Sequence, residues 1–231
     1  MNLDGRDLSV LEARIGYRFR NRELLKTALR HKSALEGKDG ACNDRLEWLG
    51  DAVVGLFIAD YLYRTHDKPR SWLSLVKSKW ASEECLAQVA KKINLESFLE
   101  LGKGEEKCGG RQKDSIISSA LEALIGAIFL DSNSYEVTRN ILERILGSEE
   151  GMEFLLLSVN YKSLLQRWSL QYLGILPEYH LIEGKNGTYR VGVKIQESFI
   201  SYGEGKSKKK AEQDAAKNAW EKLIGERHLF E

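Results

Sequence analysis

The chain has 231 residues, a formal net charge of +1, 42% hydrophobic residues and only two prolines, which excludes a largely disordered polymer and leaves room for one large domain or two small ones. It has no run of about 18 apolar residues and no basic segment followed by an apolar one at its start, so neither a membrane span nor a signal peptide is expected. Cys42, Cys85 and Cys108 are widely spaced and odd in number; this argues against a disulfide framework or a cysteine metal site and suits a reducing cytoplasm.

From residue 8 to about 146 the apolar periodicity is helical. Leu24, Leu25, Ala28 and Leu29 recur at helix spacing, as do Leu46, Leu49, Val53, Leu56 and Phe57, and then Leu121, Leu124, Ile125, Ile128 and Phe129. Asn21, Ser82 and Asp114 are the expected N-caps. The glycine-rich segment GKGEEKCGG, residues 102–110, reads as a loop. No strand is expected before residue 175.

The polar stretch GSEEG, residues 147–151, breaks the period and reads as a linker. A helix over 161–173 follows, then strands over 178–183, 189–196 and 199–203, then a helix over 207–223 with Ala211, Ala215, Ala216, Ala219 and Trp220 on its apolar side. The expected division is a helical domain over 1–147, a linker over 148–158, and a small α-β-β-β-α domain over 159–226.

The segment NDRLEWLGDAVVGL, residues 43–56, holds Asp44, Glu47 and Asp51 at i, i+3 and i+7. On a helix they project from one face over two turns. Exposed like charges at such spacing repel by a few tenths of a kcal/mol per pair, and a hard divalent ion such as Mg2+ would turn that repulsion into binding. Glu122 lies in a second apolar helix, SSALEALIGAIFLD, where a carboxylate either reaches solvent or has a partner. Taken by themselves, these acids equally fit the solvated faces of two surface helices.

The longer strings discriminate. RLEWLGDAVVGL resembles the ribonuclease III signature. ALRHKS (28–33), LSLVKSKWASEECLA (73–87), LELGKGEEKCGGR, and EALIGAIFLDS resemble further parts of that family's catalytic domain. YKSLLQ, Pro177 with Tyr179, and GEGKSKKKAEQDAAKNAWEKL resemble a double-stranded-RNA-binding domain. The resemblance implies an all-α ribonuclease III endonuclease domain followed by a small α+β RNA-binding domain. It also implies Mg2+-dependent cutting of double-stranded RNA (Mn2+ as a substitute ion) to 5′-phosphate and 3′-hydroxyl ends, by a homodimer, in ribosomal and messenger RNA processing.

Carried over residue by residue, the resemblance makes Asp51 and Glu122 the catalytic pair. Glu47, Asp51, Ser119 and Glu122 become the metal set, Asp44 an auxiliary acid, and Trp48 a contact with the partner subunit. Lys162, Ser163, Gln166, Arg167, Lys206, Lys208 and Lys209 become RNA contacts, the lysines at a helix N-terminus where phosphates are favoured. Weaker contacts are expected between the first two strands, at 185–188 and through Asn186. His31 falls at a structural position. Three places depart from the family pattern. Asp44 stands for a Glu, Arg70 stands near an expected acid, and Ser119 stands where the family has an Asp ligand. The Ser119 departure keeps open an alternative, a catalytically impaired relative that binds duplex RNA without cutting it. An unrelated acidic helical interaction protein is a third reading, against which the two-domain match argues.

Overall fold

The computed structural model describes residues 7–35, 37, 39–146, 160–185 and 187–225, without the side chains of 224 and 225. The expected linker over 148–158 and Asn186 lie outside the described residues. Backbone contacts divide the chain into two units, one drawn from residues 1–67 and 76–157, the other from 68–75 and 158–231.

The first unit is helical throughout its described residues, with one isolated bridge between Arg30 and Glu100. Its helices are α1 (Leu8–Ile15), α2 (Arg22–Leu29), α3 (Asp44–Thr65), the end of α4 (Arg70–Trp80), α5 (Glu83–Lys92), α6 (Lys103–Lys107), α7 (Asp114–Ser132) and α8 (Tyr135–Leu146). Asn21 Oδ1 accepts from the Glu23 N–H at 3.0 Å and Ser82 Oγ from the Cys85 N–H at 3.4 Å, as their side chains predict. Asp114 does not cap. Lys113 holds that position in extended backbone, and Asp114 becomes the first helical residue, paired with Lys91 at 2.6 Å. There its charge suits the positive end of the helix dipole.

The segment expected as a loop over 102–110 holds α6 and leads into a 3-10 turn, Gly110–Gln112. Ion pairs from Glu105 to Lys113 and from Glu106 to Arg111 secure it, while Arg111 donates to the Glu96 and Leu99 carbonyls. Gly102, Gly109 and Gly110 flank the helix and Gly104 lies within it, so local composition misleads.

Helix α7 is the core of this unit. Ile117, Ala120, Leu121, Ala123, Leu124, Ile125, Ala127 and Ile128 are all buried, and α2, α3 and α5 pack around it. An apolar surface on nearly all sides requires such burial. Contrary to the sequence reading, α7 is long and apolar enough to cross a membrane by length and composition; packing inside this core accounts for the same apolarity. Asp131, near its end, ties down the α1–α2 turn. Its carboxylate accepts from the Tyr17 hydroxyl at 2.7 Å and from the Arg20 and Asn21 N–H groups at 2.8 Å.

The second unit is an α-β-β-β-α sandwich. Helix α9 (Tyr161–Leu173) precedes strands β1 (Glu178–Lys185), β2 (Thr188–Ile195) and β3 (Ser198–Gly205), which form one antiparallel sheet in that order, and α10 (Lys208–Gly225) closes it. Val191, Val193 and Ile195 alternate inward, and Leu165, Ala215, Ala216 and Ala219 meet Val193 and Ile195 in the core. The bare sheet face carries Phe199 stacked on Tyr202 at 5.6 Å, with Arg190 over the Tyr202 ring at 5.3 Å.

Candidate active site and RNA-binding surface

The acidic site is set by the crossing of α3 and α7. A Cβ on Gly50 would fall 1.8 Å from the Glu122 carbonyl oxygen, and one on Gly126 would fall 2.3 Å from the Leu46 carbonyl oxygen. Only glycine permits backbones to touch in this way. The contact places Glu47 and Asp51 of α3 against Ser119 and Glu122 of α7. Asp44, Glu47, Asp51 and Glu122 line one pocket of about 410 Å³, together with Lys32 and Trp48.

Burial, followed by the negative charges of Asp51 and Glu47, pushes the Glu122 carboxyl up to about 7. Among the described residues, none of the four acids has an ion-pair partner, and no group of three or more His, Cys, Asp or Glu side chains is arranged to hold a metal ion. Ser119 is not idle: its hydroxyl donates to Glu47 Oε1 at 2.9 Å. It therefore orients one of the acids it was expected to accompany.

The turn beside the pocket is clamped to a distant segment. Glu100 N–H donates to the Leu29 carbonyl at 2.8 Å and His31 N–H to the Glu100 carbonyl at 3.0 Å. Gly102 N–H donates to Ser33 Oγ at 3.0 Å. Ser33 N–H and Oγ both meet His31 Nδ1, at 3.2 and 2.8 Å, so Nδ1 is the unprotonated ring nitrogen. Burial holds the imidazole below its ordinary value, opposed by Glu105. His31 thus belongs to the scaffold. The Lys32 that it holds in place was missed in the sequence, because nothing local marks that residue.

Trp48 is 78% exposed, and it borders a groove of about 910 Å³ with Leu24, Leu46, Leu49 and Leu130. Leu56, which shares the apolar period of this helix, stays at the surface at 54% exposure, and Leu49 is half-buried. They extend an apolar face on α3.

In the second unit, Gly203 and Gly205 repeat the device. Added Cβ atoms would lie 1.9 Å from the Ala215 nitrogen and 2.6 Å from the Ala211 nitrogen. Strand β3 therefore lies directly against α10, bound further by Glu204 N–H to Asp214 at 2.9 Å and Asn218 to the Tyr202 carbonyl at 2.8 Å. Ser207 Oγ accepts from the Lys210 N–H at the helix start. Lys206, Lys208 and Lys209 are exposed there, as are Ser163, Gln166 and Arg167 on α9. Lys162 differs: its ammonium pairs with Glu212 at 2.6 Å and lies 4.6 Å from the Tyr179 ring centroid, joining α9 to α10 and β1. Arg70, exposed, opens α4.

Comparison with known proteins follows this division. Residues 21–148 match the family described as Ribonuclease-III-like, and residues 161–223 match the double-stranded RNA binding motif. "Ribonuclease 3" of Syntrophotalea carbinolica is 38% identical over 96% of this chain and 99% of its own length. That of Caldanaerobacter subterraneus is 40% identical over 94% of this chain and 98% of its own. A solved nuclease domain of ribonuclease III from Campylobacter jejuni, described for flexibility in a region involved in dimer formation, aligns with a TM-score of 0.57 at 37% identity, covering 61% of this chain and 96% of that one. The class is thereby an endoribonuclease domain coupled to a duplex-RNA-binding motif. The likeness to the two curated relatives runs through both parts, and the chain belongs to the ribonuclease III family.

Proposed function

We propose that this chain is a divalent-metal-dependent endonuclease that cuts double-stranded RNA to 5′-phosphate and 3′-hydroxyl products as a homodimer, in ribosomal and messenger RNA processing in the cytoplasm. The observation that carries the reading is the touching of α3 and α7 at Gly50 and Gly126, which gathers Glu47, Asp51 and Glu122 around one pocket. Burial and the neighbouring Asp51 and Glu47 charges raise the Glu122 carboxyl, a cost that a bound cation would relieve. An all-oxygen donor set fits Mg2+, with Mn2+ as a substitute. Glu47, Asp51 and Glu122 would hold the ion, with Asp44 at the rim. When bound, it supplies a polarised water and neutralises charge on the scissile phosphate.

The chain's own residues prepare that site. The backbone crossing brings the two acid-bearing helices together, and their carboxylates would close onto the ion from there. The Ser119 hydroxyl holds Glu47 in one orientation, so that Glu47 is presented without a rotamer search. Lys206, Lys208 and Lys209 would meet the backbone of the duplex, with Ser163, Gln166 and Arg167 at a minor groove. The exposed Trp48 face would bury itself on the partner subunit. Three free cysteines suit a reducing compartment. The proposed division is 1–147 for the nuclease domain, 148–158 for the linker and 159–226 for the RNA-binding domain.

Ser119 favours one other reading, a relative that grips duplex RNA and has lost the chemistry, because a hydroxyl brings no charge to the metal. Labelled duplex RNA titrated with Mg2+ and Mn2+ separates the two. Cleavage that rises with metal is expected. Binding with no cleavage at any metal concentration would sink the enzyme reading.

A further inference from the structure

Lys32 is the one cation lining a pocket whose other titratable residues are Asp44, Glu47, Asp51 and Glu122. Among the described residues it pairs with none of them, nor with any other carboxylate. Its backbone is nevertheless held firmly. It opens the 3-10 turn Lys32–Leu35, directly after His31 and before Ser33, the two residues locked to each other and to the Glu100 and Gly102 backbone. On the other side, Asn43 N–H donates to the Arg30 carbonyl at 2.9 Å, fixing the turn to the start of α3. A Cβ on Gly102 would lie 2.2 Å from the Ser33 carbonyl oxygen, so the two segments touch there as well. The clamp aims one long, exposed cationic side chain at the mouth of an acidic pocket.

An acidic pocket repels a polyanion. Four carboxyls outnumber the single ammonium, and a duplex brings phosphates to the same mouth. A lysine is a compact charge with three donors on a flexible stem, suited to a non-bridging phosphate oxygen. We propose that Lys32 is a substrate-positioning residue: it holds a backbone phosphate of the RNA at the pocket mouth and offsets the repulsion of the acids during approach. The inference rests on the nuclease reading and extends it to a residue outside the metal set.

The test compares the full-length chain with Lys32→Ala and Lys32→Arg. Cleavage of a labelled duplex is followed against salt concentration and, separately, against Mg2+ concentration. Lys32→Ala is expected to lower kcat/KM about tenfold, the usual scale for a lost charged contact, mainly through KM. It should flatten the log–log salt dependence by about one counterion and leave the Mg2+ requirement unchanged. Lys32→Arg should recover most of the rate. A Lys32→Ala protein with the parent's rate and salt slope overturns the proposal. So does a loss that appears as a raised Mg2+ requirement with the salt slope intact, which would make Lys32 part of the metal scaffold. Should the parent bind duplex without cutting it, the nuclease reading fails on its own. The salt slope of binding then decides on Lys32: a flatter slope in Lys32→Ala supports the phosphate contact, and an equal slope overturns it.

Discussion

The two units use the same device with opposite electrostatic results. At Gly50 and Gly126, backbones touch and carboxylates are driven together; at Gly203 and Gly205, backbones touch and a helix start tipped with lysines is pressed onto a sheet. The acids face one another across a shared pocket, where a cation would relieve their repulsion. The lysines face solvent, fanned around a helix end, and need only a polyanion. Close backbone approach is thus neutral as to chemistry. The side chains that flank it, and whether they converge or diverge, decide what is bound.

The sharpest break of this comparison is an exchange of the two functions' failures. A valine at Gly50 has to displace the Glu122 backbone, and overpacking of this kind costs about 1–3 kcal/mol or more. Gly50→Val is expected to abolish cleavage while the second unit still binds duplex RNA in a gel-shift assay. Gly203→Val should do the reverse, weakening duplex binding while the first unit keeps its native helical signal. If both variants lose both properties, the units are not separable in the way proposed.

Ser119→Asp comes next. It restores the family's acid beside Glu47 and is expected to lower the Mg2+ concentration for half-maximal cleavage about tenfold, the lower end of the scale for metal-site partners. No change in rate or metal requirement would mean that Ser119 serves only to orient Glu47.

A smaller effect is expected on the basic side. Lys208→Ala with Lys209→Ala should weaken duplex binding and reduce the salt slope by about two, with the cleavage rate at saturating RNA unchanged. Equal slopes would remove these lysines from the interface.

The smallest concerns the frame that holds the acids. Burial works to raise the Asp131 carboxyl, but the Arg20 and Asn21 N–H groups and the Tyr17 hydroxyl outweigh it and hold it below the ordinary carboxylate range. A depressed folded-state value means stabilisation that is complete above the unfolded carboxylate range and lost as pH falls through the folded value. Asp131→Asn should therefore cost about 1 kcal/mol at neutral pH, on the scale of the hydrogen bonds weakened. The gap between the two proteins should close below about pH 4. A gap that persists in acid would assign the effect to packing.

Legibility followed the range of the forces. The helix over 161–173 and the three-strand order were plain in the sequence, because alternation at Val191, Val193 and Ile195 is a local pattern with a local cause. Helix α6 was not, because ion pairs to Lys113 and Arg111 hold it although glycines lie within and around it. Asp44, Glu47 and Asp51 announced themselves by spacing, whereas the place of Glu122 beside them depended on its helix packing against theirs, which spacing does not reveal and the family resemblance implied. Lys32 was silent, since the clamp that aims it closes through Glu100 and Gly102, about seventy residues away. Leu56 kept the period of a core and was left at the surface, and nothing in the local pattern distinguishes it from Val53, which is buried.

The contact at Gly50 and Gly126 also bears on how freely the rest of the chain can drift. Side chains such as Ile125 and Ile128 are buried on α7, and trimming one to valine costs about 0.5–1.5 kcal/mol. The spacing of the two helices at their crossing does not depend on that volume, because main-chain atoms already meet there with nothing left to shrink. Core composition and acid geometry are thus separate variables: the interior is open to repacking over generations while the carboxylates keep their distances.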